Sequence, residues 1–159
     1  MKIIVNVKKQ ELQYWNNDQL ECSYSISTAK NGVGEEQGSE CTPRGQHIIR
    51  AKIGNGAAIN SIFVGRRFTS EIFNEDLRKQ FPERDWILTR ILWLSGTESG
   101  VNRLGNVDTM QRYIYIHGCP DKDVMGQPSS HGCIKMRNSE LVELFDKVDV
   151  GTLVTIKEG

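Results

Sequence analysis

The chain has no apolar run near the roughly 18 residues that a membrane-spanning helix requires. It has no excess of charge either. Twenty basic and twenty acidic residues cancel, which removes the basic footprint of a nucleic-acid binder or of a protein drawn to an anionic membrane. Repeats, low-complexity tracts and linkers are absent, so the 159 residues read as one domain, 1–159, large enough to bury a core unaided. The four cysteines, at 22, 41, 119 and 133, lack a framework spacing and predict free thiols in a reducing compartment. The N-terminal MKIIVNVKKQ lacks the longer apolar core and small-residue cleavage site of a signal peptide. With Met1 as the natural start, this predicts a cytoplasmic protein; removal of a leader would make it periplasmic.

Histidine is scarce as well, and its placement is telling. Two of the three histidines and two of the four cysteines sit in two copies of one tripeptide, His117-Gly118-Cys119 and His131-Gly132-Cys133. The loop between them carries Pro120, Gly126 and Pro128. The third histidine, His47, reads as a strand residue facing solvent.

The pattern around this doublet is mainly β. Ile3, Val5 and Val7 alternate with polar neighbours, and Leu12, Tyr14 and Trp15 follow. Asn16-Asn17-Asp18 signals a hairpin into a run from Leu20 to Ile26. Further strands are expected over His47–Ile53, Ile62–Val64 and Trp86–Leu94, the last buried on both faces. Trp86 and Trp93 read as core, and Arg66-Arg67 as a solvated turn. Tyr113, Tyr115 and His117 share one strand face, Ile114 and Ile116 the other. The spacing predicts a helix from Asn74, as N-cap, to Phe81, stopped by Pro82. A second helix has Asn138 as cap and an apolar stripe of Leu141, Val142, Leu144, Phe145 and Val148. Leu153 to Ile156 forms a closing strand. The expected fold is a β-rich α+β domain, a sandwich or barrel with one or two helices packed against it.

A cysteine thiol at its free pKa is only a few per cent thiolate at neutral pH, so a nucleophilic cysteine needs a base nearby. His117, at a strand end, can supply one to Cys133. No carboxylate is placed to fix its tautomer, which leaves a backbone carbonyl as the orienting group. Gly132 leaves room for a substrate and lets successive N–H groups converge as an oxyanion hole. The same four side chains also suit tetrahedral zinc as a Cys2His2 set. A disulfide between Cys119 and Cys133 is a further alternative.

Ser130-His131-Gly132-Cys133-Ile134-Lys135-Met136-Arg137-Asn138 resembles the signature of the L,D-transpeptidase catalytic domain (YkuD) family, and Ile116-His117-Gly118 resembles its other catalytic block. Ser25 to Gly34, Gly38 to Gly45 with its Thr-Pro-x-Gly core, and Gly151 to Ile156 resemble further blocks. Gly54 to Asp108 matches none as clearly. The resemblance implies that Cys133 attacks the carbonyl of a diamino acid in a peptidoglycan stem tetrapeptide or muropeptide, expels the terminal D-alanine and forms a thioester. His117 would take the thiol proton, with the Gly118 carbonyl orienting its ring. His131 would line the site, and the N–H groups of Gly132 and Cys133 would hold the oxyanion.

For substrate binding the resemblance implicates Arg137, as the grip on a carboxylate, with Ser130 and Lys135. Tyr115 is a possible substrate wall. Lys135 departs from the family's frequent Arg or Asn, and Cys119 from its frequent threonine. No cofactor or metal is implied. With water as acceptor the enzyme would be an L,D-carboxypeptidase trimming recycled tetrapeptides, the expectation for a leaderless chain. With an amine it would be a transpeptidase or exchange D-amino acids. A periplasmic cross-linking L,D-transpeptidase, a non-catalytic muropeptide-binding module and a zinc-binding domain are the alternatives.

Overall fold

The computed structural model describes residues 1–159. Ten strands form: β1 (Lys2–Asn6), β2 (Glu11–Asn16), β3 (Gln19–Ser27), β4 (Gly45–Ile53), β5 (Ser61–Val64), β6 (Arg67–Ile72), β7 (Ile87–Gly96), β8 (Tyr115–Gly118), β9 (Ile134–Met136) and β10 (Leu153–Lys157). Helix α1 spans Glu75–Gln80 and α2 spans Asn138–Lys147. The order β4-β10-β1-β2-β3-β9-β8-β7 closes on itself because β7 also pairs with β4, giving an eight-stranded barrel with the β5–β6 hairpin attached to β7. Closure leaves no unpaired edge among those eight. The β-rich fold with two helices matches the sequence pattern. No helix is long and apolar enough to cross a membrane.

Alternation sets which side chains meet. Ile3 and Val5, Leu12 and Tyr14, Leu92 and Leu94, Ile116, Ile134 and Met136, and Val154 and Ile156 bury one face of their strands in a single core. Leu141, Leu144, Phe145 and Val148 of α2 join it. On the opposite face of β7 and β8, Ile91 and Tyr115 pack with Phe63 from β5, and Cys133 and Trp93 lie against them. Cys133 therefore stands outside the barrel wall, beneath the β5–β6 hairpin.

Local signals explain the helices. Asn74 caps α1, its Oδ1 accepting from the Leu77 N–H at 2.9 Å. Asn138 does not cap α2. Arg137 occupies that position without a side-chain bond, and the buried Asn138 carboxamide instead donates to the Cys119 carbonyl at 2.8 Å and accepts from the Thr89 hydroxyl at 2.6 Å. Two strands went unforeseen. β6 is the polar, exposed half of a hairpin, and β9 has three residues, too short for a period to register.

His47 is fully buried rather than solvent-facing. Its Nδ1–H donates to the Gly45 carbonyl at 3.1 Å, and its Nε2 lies 3.0 Å from the Thr109 hydroxyl. Burial pushes its pKa down to about 4, so the folded chain holds it neutral while the unfolded chain protonates it near 6.5. This stabilisation is complete above about pH 6.5 and is lost as pH falls towards 4, up to about 3 kcal/mol in all. Denaturant titrations at pH 7 and pH 4.5 should show that loss, and His47→Gln should show less of it.

Candidate active site

Residues from four regions line a cleft of about 480 Å3: Arg66 at the hairpin tip, Asp85 and Ile87 before and in β7, Arg112 to Ile114 before β8 with Tyr115 and His117 in it, and Ser130, His131 and Cys133 before β9. The parallel pairing of Ile116 with Ile134 sets β8 beside β9, so the base and the thiol reach one cleft from adjacent strands.

The His117 ring is buried, and its Nδ1 lies 2.6 Å from the Gly118 carbonyl oxygen. A carbonyl only accepts, so Nδ1 carries the proton and Nε2 the lone pair. That is the tautomer a general base at Nε2 requires, and Nε2 makes no hydrogen bond within the protein. Gly118 has no room for a side chain. A Cβ there would lie 2.6 Å from the Leu88 carbonyl oxygen and against the Asn138 carboxamide. The contact of Asn138 with the next carbonyl, that of Cys119, fastens the segment that aims the ring. Burial lowers the His117 pKa, and the nearby Asp85 carboxylate opposes this.

The Cys133 sulfur accepts from the Tyr115 N–H at 3.3 Å, and its thiol donates to the Tyr113 carbonyl at 3.4 Å. Burial pushes its pKa up to about 12, with the Tyr115 N–H acting in the other direction. No hydrogen bond joins Cys133 to His117. The resting site is thus a neutral thiol beside a neutral imidazole, and the proton must move when a substrate arrives.

The turn that presents Cys133 is built from several directions. Gly132 has φ +132, and a Cβ there would press on Ile114 and the Cys41 carbonyl. The Thr42 hydroxyl donates to the Gly132 carbonyl at 2.9 Å, which gives the Thr-Pro-x-Gly block its purpose. The Ser130 hydroxyl donates to the Cys133 carbonyl and accepts from the Gly132 N–H. The Cys133 N–H makes no hydrogen bond within the protein. Of the two amides expected to form an oxyanion hole, that of Cys133 is therefore open and that of Gly132 is occupied.

Several expected substrate contacts fall elsewhere. Ser130 lines the cleft, yet its hydroxyl is used within the turn. Lys135 points away, with its ammonium 2.9 Å from Asp123 and 3.1 Å from Ser129. Alternation puts it on the same outward face as His117, its register partner, and the bonds to Asp123 and Ser129 hold its ammonium in the adjoining groove. Arg137 is exposed at the start of α2 and does not line the cleft. Tyr115 does line it, and His131 stands exposed at its rim.

The doublet does not converge as a ligand set. Cys119 is buried and donates to the Met136 carbonyl at 3.4 Å, away from the cleft, and no three His, Cys, Asp or Glu side chains come together. All four cysteines are free.

Arg66, Asp85 and Arg112 were not foreseen as cleft residues. Arg112 braces the N-terminal loop, donating to the carbonyls of Cys41 at 2.6 Å and Gly34 at 3.2 Å. Arg66 is no solvated turn residue, since it lies 4.5 Å above the Trp93 ring. Trp93 is half-buried, packed against the small cluster of Phe63, Ile91 and Tyr115. The short apolar run before Gly65 carried a tight-hairpin signal for Arg66; nothing local marks Asp85.

The family model for the L,D-transpeptidase catalytic domain (YkuD) matches residues 1–156. YqjB of Bacillus subtilis (strain 168), whose own assignment as an L,D-transpeptidase is provisional, is 26% identical over 156 residues, covering 98% of this chain and 70% of that protein. L,D-transpeptidase 3 from Mycobacterium tuberculosis, solved with a faropenem-derived adduct, superposes with TM-score 0.59 at 15% identity over 98% of this chain and 59% of that one. A cysteine-to-serine mutant of the Enterococcus faecium L,D-transpeptidase gives TM-score 0.59 at 17% identity over 98% of this chain and 49% of that one. This chain thus spans 49% and 59% of those two solved chains, and the likeness to them is one of fold.

Proposed function

Because this chain belongs to the L,D-transpeptidase catalytic domain family, we propose that it performs cysteine-dependent acyl transfer on peptidoglycan stem peptides. The reading rests on one observation: a thiol and an imidazole from adjacent strands share a cleft, with the imidazole fixed by the Gly118 carbonyl in the tautomer of a general base. The donor is a stem tetrapeptide or muropeptide. As its diamino acid carbonyl reaches Cys133, the thiol gives its proton to His117 Nε2 and the sulfur attacks the carbon. The oxyanion forms next to the open Cys133 N–H. Collapse breaks the bond to the terminal D-alanine, whose amine leaves with the proton from His117, and a thioester remains. An acceptor then gives its proton to His117, attacks the thioester and restores the thiol.

Water as acceptor gives an L,D-carboxypeptidase, and an amine gives a cross-link or an exchanged D-amino acid. Beyond Asp85 and His131 the cleft continues into a groove lined by Arg84, Asp123 and Lys135. That groove gives an acceptor its own approach and favours amine transfer. A solved L,D-transpeptidase in complex with imipenem supports a carbapenem as a trap for the acyl-enzyme.

Incubation with one defined tetrapeptide, alone, with a D-amino acid and with a second stem peptide, separates these outcomes by mass spectrometry. A tripeptide, an exchanged tetrapeptide or a dimer is the expected product. Binding without any product, and no carbapenem adduct, would make the chain a muropeptide-binding module instead.

A further inference from the structure

The cleft has one cation whose donors are free. Arg112 is committed to the loop at Gly34 and Cys41. Arg66 donates once, from Nη1 to the Tyr115 hydroxyl at 3.0 Å, and forms no ion pair. A guanidinium has five N–H donors in a planar fork, so four are left for something else.

The side chain is nonetheless held in place. It lies 4.5 Å from the Trp93 ring centre and 4.9 Å from that of Tyr113. Trp93 is in turn anchored by its indole N–H to the Met110 carbonyl at 3.1 Å and stands edge-on to Tyr115, at 85°. Three aromatic rings thus fix a charged fork at the rim of the cleft that holds the thiol. The backbone carries a matching signature. Gly65 and Arg66 have φ +56 and +64 and make a two-residue hairpin turn in which both positions are left-handed. Asn or Gly fills the second position without strain; an arginine there is strained, and such strain gathers at functional positions.

A pre-set fork with unspent donors fits a carboxylate. We propose that Arg66 is the specificity-determining residue that reads a free carboxylate on the donor peptide, a role that rests on the acyl-transfer reading above. Two groups on such a donor offer that chemistry: the α-carboxylate of the departing residue and the side-chain carboxylate of a diamino acid that has one. Arg66 acts on binding and takes no part in moving protons: the Cys133 sulfur bonds only to the backbone of Tyr113 and Tyr115, and the His117 ring only to the Gly118 carbonyl.

Calorimetric titration of Cys133→Ala protein, with and without Arg66→Gln, tests this with three donors. One is the free tetrapeptide, one has a terminal carboxamide, and one has the side-chain carboxylate amidated. Losing a charge-assisted pair should weaken the free donor about ten- to a hundredfold. Against one amidated donor Arg66→Gln should make no difference, and that donor identifies the carboxylate read. Arg66→Lys should fall between, keeping charge without the fork. Equal weakening of all three donors would mark a structural role and overturn the proposal, as would no weakening at all. If native protein forms no product from any donor, the acyl-transfer reading fails, while the binding ratios still judge Arg66.

Discussion

Cys133→Ala should lower product formation from a defined tetrapeptide by at least about 10^4-fold, the scale on which nucleophile loss acts in covalent catalysis. No other thiol can stand in. Cys119 is buried behind β8 and bonded to the Met136 carbonyl, and Cys41 donates to the carbonyls of Asn31 and Ser39. Neither of these, nor Cys22, lines the cleft. The fold should survive, because Cys133 is only partly buried and its sulfur makes just two weak bonds, to Tyr113 and Tyr115. Product analysis beside a thermal melt checks both halves. An alanine variant that melts normally and still turns over would remove Cys133 from the chemistry. Cys133→Ser should be nearly as poor, since a hydroxyl gives up its proton to a neutral imidazole less readily than a thiol does.

His117 and Cys133, the candidate base and nucleophile, stand out in the sequence because each sits in a short segment whose neighbours carry the same message. His117 ends an alternating strand whose partner positions Ile114 and Ile116 are buried, and Cys133 follows a glycine with φ +132 that no other residue would adopt easily. The β-rich class was legible for the same reason, since most of the strands alternate strictly enough to announce their faces, whereas the choice of barrel over sandwich rests on the long-range β4–β7 pairing.

What stayed hidden is long-range. Asn138 looks like a helix cap by position. Its carboxamide instead joins Cys119, Asp121, Asn60 and Thr89, partners up to 78 residues away. His47 looked exposed because a lone histidine in a strand gives no sign of which face is inside. Arg137 followed the family pattern, yet its position at the foot of α2 leaves it exposed, while Arg66, about seventy residues earlier in the sequence, reaches the cleft through a hairpin whose polar strand carried no period.

The imidazole carries the second large effect. His117→Gln should cost about 10^2- to 10^4-fold in turnover, the range of general-base catalysis, and should change the pH profile as well as the rate. In the native protein the enclosed surroundings of the sulfur push the thiol pKa up to about 12, which leaves little thiolate at neutral pH and makes acylation draw on the His117 lone pair. His117 must be neutral to accept the proton. Because burial lowers its pKa, the acid limb of kcat/KM should lie below the ordinary histidine value of about 6.5, with a plateau through neutral pH. Without the imidazole the small residual rate depends on thiolate made by hydroxide, so it should climb steadily with pH and show no plateau. The double variant with Cys133→Ala should be no worse than Cys133→Ala alone, because the two side chains act as a unit. A profile for His117→Gln that merely scales down with its acid limb intact would mean that another group takes the proton. His131 is the one remaining imidazole in the cleft.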